Sequence, residues 1–346
     1  MLNRLLLAAA TAILASTVSA SAGTSPFTAI YSFGDSLSDA GNLFRLSSNP
    51  ANGIAHQPLP PYSDGRFSNG AVWTQNLSPA LGLGPLTPSL EGGHDYAYGG
   101  ATTGTTDVHT ATFIDLPSQL QQFEAAHPGG APSTALYTLW IGANDIFGAL
   151  DALAAGGGFT VADAKAVVSE AAQNEASAAG ALAGLGAKDL LVFDAPNIGL
   201  TPAYNTTPLK DEASALSLLY NQDLSADLAG VSGLTIYEAD TYYFFGYVVE
   251  HPALYGFTNA TGACWTGNDT GGTGTLCGTT VAAQNQNLFW DDVHPTAAGH
   301  VILTDVALTA LGISTPEPST WFMMAIGFAG LGALGARKIR APSTAV

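Results

Sequence analysis

Short runs of branched and aromatic residues recur along the chain, separated by longer stretches in which apolar side chains return every three or four positions. The runs Phe27-Phe33, Asp95-Tyr98, Leu136-Ile141, Leu190-Phe193 and Leu234-Tyr237 have the length and composition of buried strands. Helical spacing marks Leu116-Ala126, Val161-Leu185, Asp211-Leu228 and Thr296-Leu311. Strands alternating with helices predict an α/β fold whose central parallel sheet is covered on both faces. In such sheets ligands bind outside the carboxyl ends of the strands, so chemistry is expected in the residues that follow each run. Two stretches break the alternation: 43–94, with Pro58-Leu59-Pro60-Pro61, Gly65 and Asn69-Gly70, and 252–290. Excursions of that length in a compact domain are usually covers or binding loops.

The two ends of the 346-residue chain follow other rules. Residues 1–22 have a basic start at Arg4, an apolar centre from Leu5 to Leu14, and small residues at Val18-Ser19-Ala20 and Ala20-Ser21-Ala22. That order predicts a secretory signal peptide. Residues 315–346 carry Pro316-Glu317-Pro318 just after Thr315, then the 16-residue apolar run Trp321–Ala336, then the basic cluster Arg337-Lys338-Ile339-Arg340. The run is short of the ~20 residues that span a bilayer comfortably, although its glycines permit close helix contacts and its cations would stay cytoplasmic. The order of these parts resembles the PEP-CTERM sorting signal. That resemblance implies a short transmembrane helix that anchors the chain to the membrane before processing, and a sorting transpeptidase of the exosortase type as partner. Between the ends, 25–314 shows no linker, repeat or long charge run and reads as one domain.

Charge narrows the partners. Once both ends are set aside, five basic residues face 26 acidic ones, a net of −21. Such a surface repels nucleic acid and anionic membrane. The two cysteines, Cys264 and Cys277, lie 13 positions apart in a Gly/Thr-rich stretch; in an oxidising compartment they are expected to form a disulfide, contributing ~3 kcal/mol in the chain-entropy model. Zinc is not expected there, because neither a Cys-x-x-Cys nor a histidine pair accompanies them.

Four short stretches at strand ends or rim loops carry candidate chemistry. Gly34-Asp35-Ser36-Leu37 places a hydroxyl just past the first strand, although a Gly-x-Ser turn alone is more often a helix cap. Tyr98-Gly99-Gly100-Ala101 lets a backbone N–H approach a ligand closely, with Gly100 or its neighbour Gly99 as the donor. Gly142-Ala143-Asn144-Asp145 offers a side-chain amide. In Asp291-Asp292-Val293-His294, a carboxylate three residues before a histidine can fold back onto Nδ1–H, fix the tautomer and leave Nε2 free as a base. Asp292 would replace Asp291 only with the turn shifted by one. Together the blocks supply what acyl transfer needs: Ser36 as nucleophile, His294 as base, Asp291 as orienter, and an oxyanion hole from the Ser36 N–H, the Gly100 N–H and the Asn144 amide. Asp35 and Asp39 are read as serving the turn and helix start, His300 as a packing histidine. Within Thr241-Tyr242-Tyr243-Phe244-Phe245, core packing competes with an acyl-chain pocket.

The stretches "FGDSLSDAGN", "YAYGGATT", "IGAND" and "WDDVHPT" resemble the signature blocks of the SGNH, or GDSL, hydrolases, and "GRFSNGAVW", "FDAPNIGLTPA", "YNQDL" and "YGFTNATGAC" resemble their larger secreted lipase and esterase branch. The resemblance implies a three-layer α/β/α, flavodoxin-like fold that hydrolyses carboxylic esters with neither metal nor cofactor. The expected function is an exported serine esterase acting on a lipid or short-chain acyl ester. Alternatives are an acetyl esterase of extracellular polysaccharide and, from another class, a non-catalytic matrix or adhesion protein on the same scaffold.

Overall fold

Alternation inside each short apolar run decides which face of the sheet its side chains join. The computed structural model describes residues 25–104 and 114–313; the expected signal peptide, 1–22, and sorting segment, 315–346, with its apolar run, lie outside the described residues. In chain order the elements are β1 (Ile30–Gly34), α1 (Asn42–Ser47), α2 (Trp73–Ala80), α3 (Leu116–Ala126), β2 (Leu136–Trp140), α4 (Ala143–Ala155) and α5 (Val161–Leu185). They continue with β3 (Asp189–Phe193), α6 (Lys210–Leu228), β4 (Thr235–Ala239), α7 (Tyr242–Glu250), β5 (Asn259–Ala263), α8 (Val281–Gln284), β6 (Asn287–Phe289) and α9 (Ala297–Ala310).

The strands β1-β2-β3-β4 form one parallel sheet in that order, with Ile30 opposite Leu136 and Leu136 opposite Asp189. Tyr31, Phe33, Tyr137, Leu139, Leu190 and Val192 point to one face, where Phe123 of α3, Ile146 of α4, Val168 and Leu182 of α5, and Leu216 of α6 cover them. Their neighbours Ile30, Leu136, Trp140, Leu191 and Phe193 point the other way, onto Trp73 and Leu77 of α2, Phe245 of α7 and Leu303 of α9. Each such fully buried side chain contributes roughly 1.5–3 kcal/mol, so both faces must be covered for the sheet to persist. The result is a three-layer α/β/α sandwich.

The expected strand Asp95-Tyr98 lies where a fifth strand would, on the outer edge of β1. Its ladder is irregular: Ser32 N–H donates to His94 O (3.0 Å), Tyr96 N–H to Ser32 O (2.7 Å) and Tyr98 N–H to Gly34 O (3.1 Å), but only Ser32 and Asp95 pair as a bridge. The Asp95 carboxylate takes the N–H groups of Ala40 and Ala97 (2.7 and 3.3 Å), which competes with regular pairing. With this segment counted, the spatial order is second, first, third, fourth, fifth in the chain. That is the flavodoxin-like order, whose switch point falls between β1 and β2.

Among the described residues five helices lay outside the expected set: α1, α2, α4, α7 and α8. The excursion 252–290 folds as a parallel pair, β5 and β6, beside a loop in which Cys264 and Cys277 are paired with their Cα atoms 4.6 Å apart. Cys264, Trp265, Trp290 and Tyr62 form a small separate core there.

Candidate active site

β1 must end in glycine. Gly34 has φ 154°, and a Cβ on it would lie 2.3 Å from Trp140 O on the neighbouring strand. The next residues close a tight turn: Leu37 N–H donates to Asp35 Oδ1 (2.9 Å), while Ser38 and Asp39 N–H reach Asp35 O (3.1 and 3.0 Å). Ser36 sits in this turn, not at a helix cap. The capping belongs to Asp39, whose carboxylate accepts from the N–H groups of Gly41, Asn42 and Leu43 at the start of α1.

Beyond β6, the Trp290 N–H donates to His294 O (2.7 Å) and folds 290–294 into a compact turn. Asp291 Oδ1 accepts from Val293 and His294 N–H (2.9 and 2.8 Å), which aims the carboxylate at the imidazole. His294 Nδ1 lies 2.8 Å from Asp291 Oδ2, and His294 Nε2 lies 2.8 Å from Ser36 Oγ. Hydroxyl, imidazole and carboxylate thus stand in one line, across 258 residues of sequence. Asp292 is exposed and, among the described residues, lends only its carbonyl, to Ala203 N–H (2.9 Å). Burial by itself would raise Asp291 and lower His294, but their mutual charge and hydrogen bonds win: the carboxyl is held below its ordinary range and the imidazole above.

The turns after β1, Tyr98 and β2 bring the expected oxyanion donors Ser36, Gly100 and Asn144 to one cleft. Gly99 N–H is spent on Asp39 Oδ2 (2.9 Å), and a Cβ there would fall 2.2 Å from Phe67 Cε2. Gly100 turns with φ 75° and lines the cleft. Among the described residues, neither its N–H nor that of Ser36 has a hydrogen-bond acceptor. Asn144, in the first turn of α4, gives one amide hydrogen to Ala101 O (2.9 Å) and keeps its second. Asp145 beside it accepts from Thr103 N–H and Oγ1 (3.0 and 2.9 Å), tying the second block to the third. The cleft over these groups measures about 180 Å³ and takes apolar walls from Leu37, Phe67, Phe147 and Ile198.

The contacts of Tyr62 and Phe67 and the buried acids behind Ser36 were not readable in advance, whereas His300 packs as the sequence suggests. Tyr62, from the irregular stretch 43–94, donates its hydroxyl to Asp291 Oδ2 (2.7 Å), and the ring of Phe67 packs 5.1 Å from that of His294. Behind Ser36 lies a pocket of buried acids. Burial pushes Asp35 up to about 7 and Glu175 up to about 8; Glu175 shares a short hydrogen bond with the Tyr220 hydroxyl. His300 is fully buried, accepts Trp73 N–H on Nδ1 (3.2 Å) and is lowered by burial to about 3, so it remains neutral. The aromatic run after Asp240 does not form an acyl pocket at Ser36. Phe245 joins the core, Tyr243 is 66% exposed, and Phe244 faces a different cavity between α7 and α9.

A strand-end hydroxyl in line with a charge-oriented imidazole, beside unspent N–H donors, is the arrangement that acyl transfer through serine requires. The family model "GDSL-like Lipase/Acylhydrolase" matches residues 30–306, and the chain belongs to that family. The "PEP-CTERM protein-sorting motif" matches 314–340, which marks the protein for export and association with the cell envelope and implies recognition by an exosortase. Phosphatidylcholine-sterol acyltransferase of Aeromonas hydrophila is 26% identical over 86% of this chain and 94% of its own length. Lipase 1 of Photorhabdus luminescens is 24% identical over 86% of this chain, which spans about half (52%) of that relative. Acetylesterase of Thermothelomyces thermophilus is 27% identical over 67% of this chain and 76% of its own length. The protein is an ester hydrolase of this family.

Proposed function

We propose that the catalytic domain, 25–314, cleaves a carboxylic ester through an acyl-enzyme on Ser36. His294 Nε2 takes the Ser36 proton as Oγ attacks the ester carbonyl. The tetrahedral oxyanion is held by the N–H groups of Ser36 and Gly100 and by the second amide hydrogen of Asn144. His294 then protonates the leaving alcohol as the C–O bond breaks. The same imidazole next deprotonates a water that attacks the acyl carbonyl, and returns the proton to Ser36 Oγ. Asp291 orients the ring and stabilises its cationic form without itself taking a proton. In an exported protein the Cys264–Cys277 pair is a disulfide.

The supporting observation is the 2.8 Å approach of His294 Nε2 to Ser36 Oγ. Ser36→Ala should abolish release of p-nitrophenol from short-chain acyl esters while leaving the circular dichroism spectrum unchanged; undiminished hydrolysis by that variant rejects the assignment. A second reading, removal of acetyl groups from a glycan, draws on the sorting motif and on the acetylesterase relative. Release of acetate from an acetylated polysaccharide, compared with hydrolysis of octanoyl and longer esters, separates the two; an optimum at long chains rejects the acetyl reading.

A further inference from the structure

The residue that completes the charge arrangement comes from outside the four chemistry-bearing stretches. The Asp291 carboxylate is 7% exposed and accepts from the backbone of Val293 and His294 at Oδ1, and from His294 Nδ1. Its remaining capacity, at Oδ2, is filled by the Tyr62 hydroxyl at 2.7 Å. Tyr62 is itself 6% exposed, and its ring is clamped edge-on against Trp290 with centroids 5.8 Å apart. Trp290 immediately precedes Asp291, and Trp265 and Cys264 complete the same small core. Leu59 N–H donates to Asp269 O (2.7 Å), so the stretch carrying Tyr62 is also fastened to the disulfide-bearing excursion. The tyrosine is therefore held rigidly, by two irregular segments, with its one polar atom on the oxygen that faces the base.

We propose that Tyr62 is a positioning residue for the serine hydrolase centre, setting the strength of the Asp291–His294 interaction; this rests on the reading of Ser36, His294 and Asp291 given above. A neutral donor on Oδ2 does two things. It withdraws negative charge from the oxygen that binds Nδ1–H, so the imidazolium is stabilised less and His294 releases its proton at a lower pH. It also prevents the carboxylate from rotating about its Cβ–Cγ bond away from the ring. Nearby Asp35 and Asp269 act on His294 in the opposite direction, raising its proton affinity along with Asp291, and Asp292 adds negative charge next to Asp291. Among the described residues facing this carboxylate, the Tyr62 hydroxyl is the side-chain donor that counters them. Deprotonation of Tyr62 is itself suppressed by burial and by Asp291, so it stays a donor at all working pH values.

Tyr62→Phe deletes one oxygen and keeps the ring against Trp290. The variant should lower kcat roughly 3- to 30-fold with KM within twofold, and move the acid limb of kcat/KM to higher pH by about 0.3 to 1 unit. The Nδ1–H proton resonance of His294 should shift in the same variant. Unchanged limb and resonance overturn the proposal, whether kcat falls or not, because a purely packing role would leave both in place. The two failures are distinguishable: if Ser36→Ala retains activity the catalytic reading fails, whereas an inactive Ser36→Ala beside an unshifted Tyr62→Phe removes only the role of Tyr62.

Discussion

One hydrogen of the Asn144 amide fixes it to Ala101 O, and in the proposed mechanism the other serves the oxyanion. Asn144→Ala should therefore cut kcat ~100- to 1,000-fold with little change in KM, the usual cost of one oxyanion donor. Steady-state kinetics on a short acyl ester measure it directly. That Ser36, Asn144, Asp291 and His294 meet at one cleft could be expected from sequence because each is embedded in a contiguous stretch whose local geometry, turn or strand end, is written in neighbouring residues. Gly100 needed the fold, since only the spending of the Gly99 N–H on Asp39 distinguishes the two glycines. Tyr62 could not be found at all. Its partner lies 229 positions away, and the proline-rich stretch around it has no periodicity that fixes where its side chain points.

At the level of elements, local signals were most reliable where a helix carries its own start and stop. α5 covers Val161–Leu185 as expected because Thr160 and Asp163 form a capping box at one end and Gly186, at φ 111°, ends it at the other. α4 lacks such a cap: Gly142 precedes it without a side-chain hydrogen bond, and its first turn is spent on the site. α7 opens on the aromatic run Tyr242–Phe245, which shows no polar face from which helical spacing could be read. The paired cysteines carry an element-scale prediction. Replacing Cys264 and Cys277 together by alanine should lower unfolding free energy by ~3 kcal/mol, read from denaturant midpoints. A loss that small in stability but accompanied by a fall in kcat would fit the contact of Cys264 with Trp265, Trp290 and Tyr62.

For the whole molecule, stability and activity make opposite demands on pH. Burial raises Asp35 and Asp194 to about 7 and Glu175 to about 8, so at pH 5 the folded state holds protons that the unfolded chain has released. The stability these groups contribute is fully present below their unfolded pKa values near 4 and is lost as pH rises through 7 to 8. His300, neutral in the fold, and Asp291, held ionised, pull the other way but are outnumbered. The melting temperature should thus be higher at pH 5 than at pH 8.5, by roughly 5 °C or more, in scanning calorimetry. The excess of negative charge adds to this slope, because it grows as pH rises. Activity should run in reverse. His294 is raised above its ordinary 6.5 and must be neutral to act as base, so kcat/KM should climb with pH through a midpoint above 6.5. The layered architecture and its rim of chemistry were legible from alternation alone. The pH conflict was not, because it depends on which acids the helices bury.

In the proposed mechanism one hydroxyl, Ser36 Oγ, is made nucleophilic by His294. Reaction with a fluorophosphonate probe followed by peptide mass spectrometry tests it most directly. One adduct per chain is expected, on the peptide containing Ser36, and it should be lost in His294→Ala with the fold retained. An adduct on another residue, or full labelling of Ser36 without His294, would contradict it.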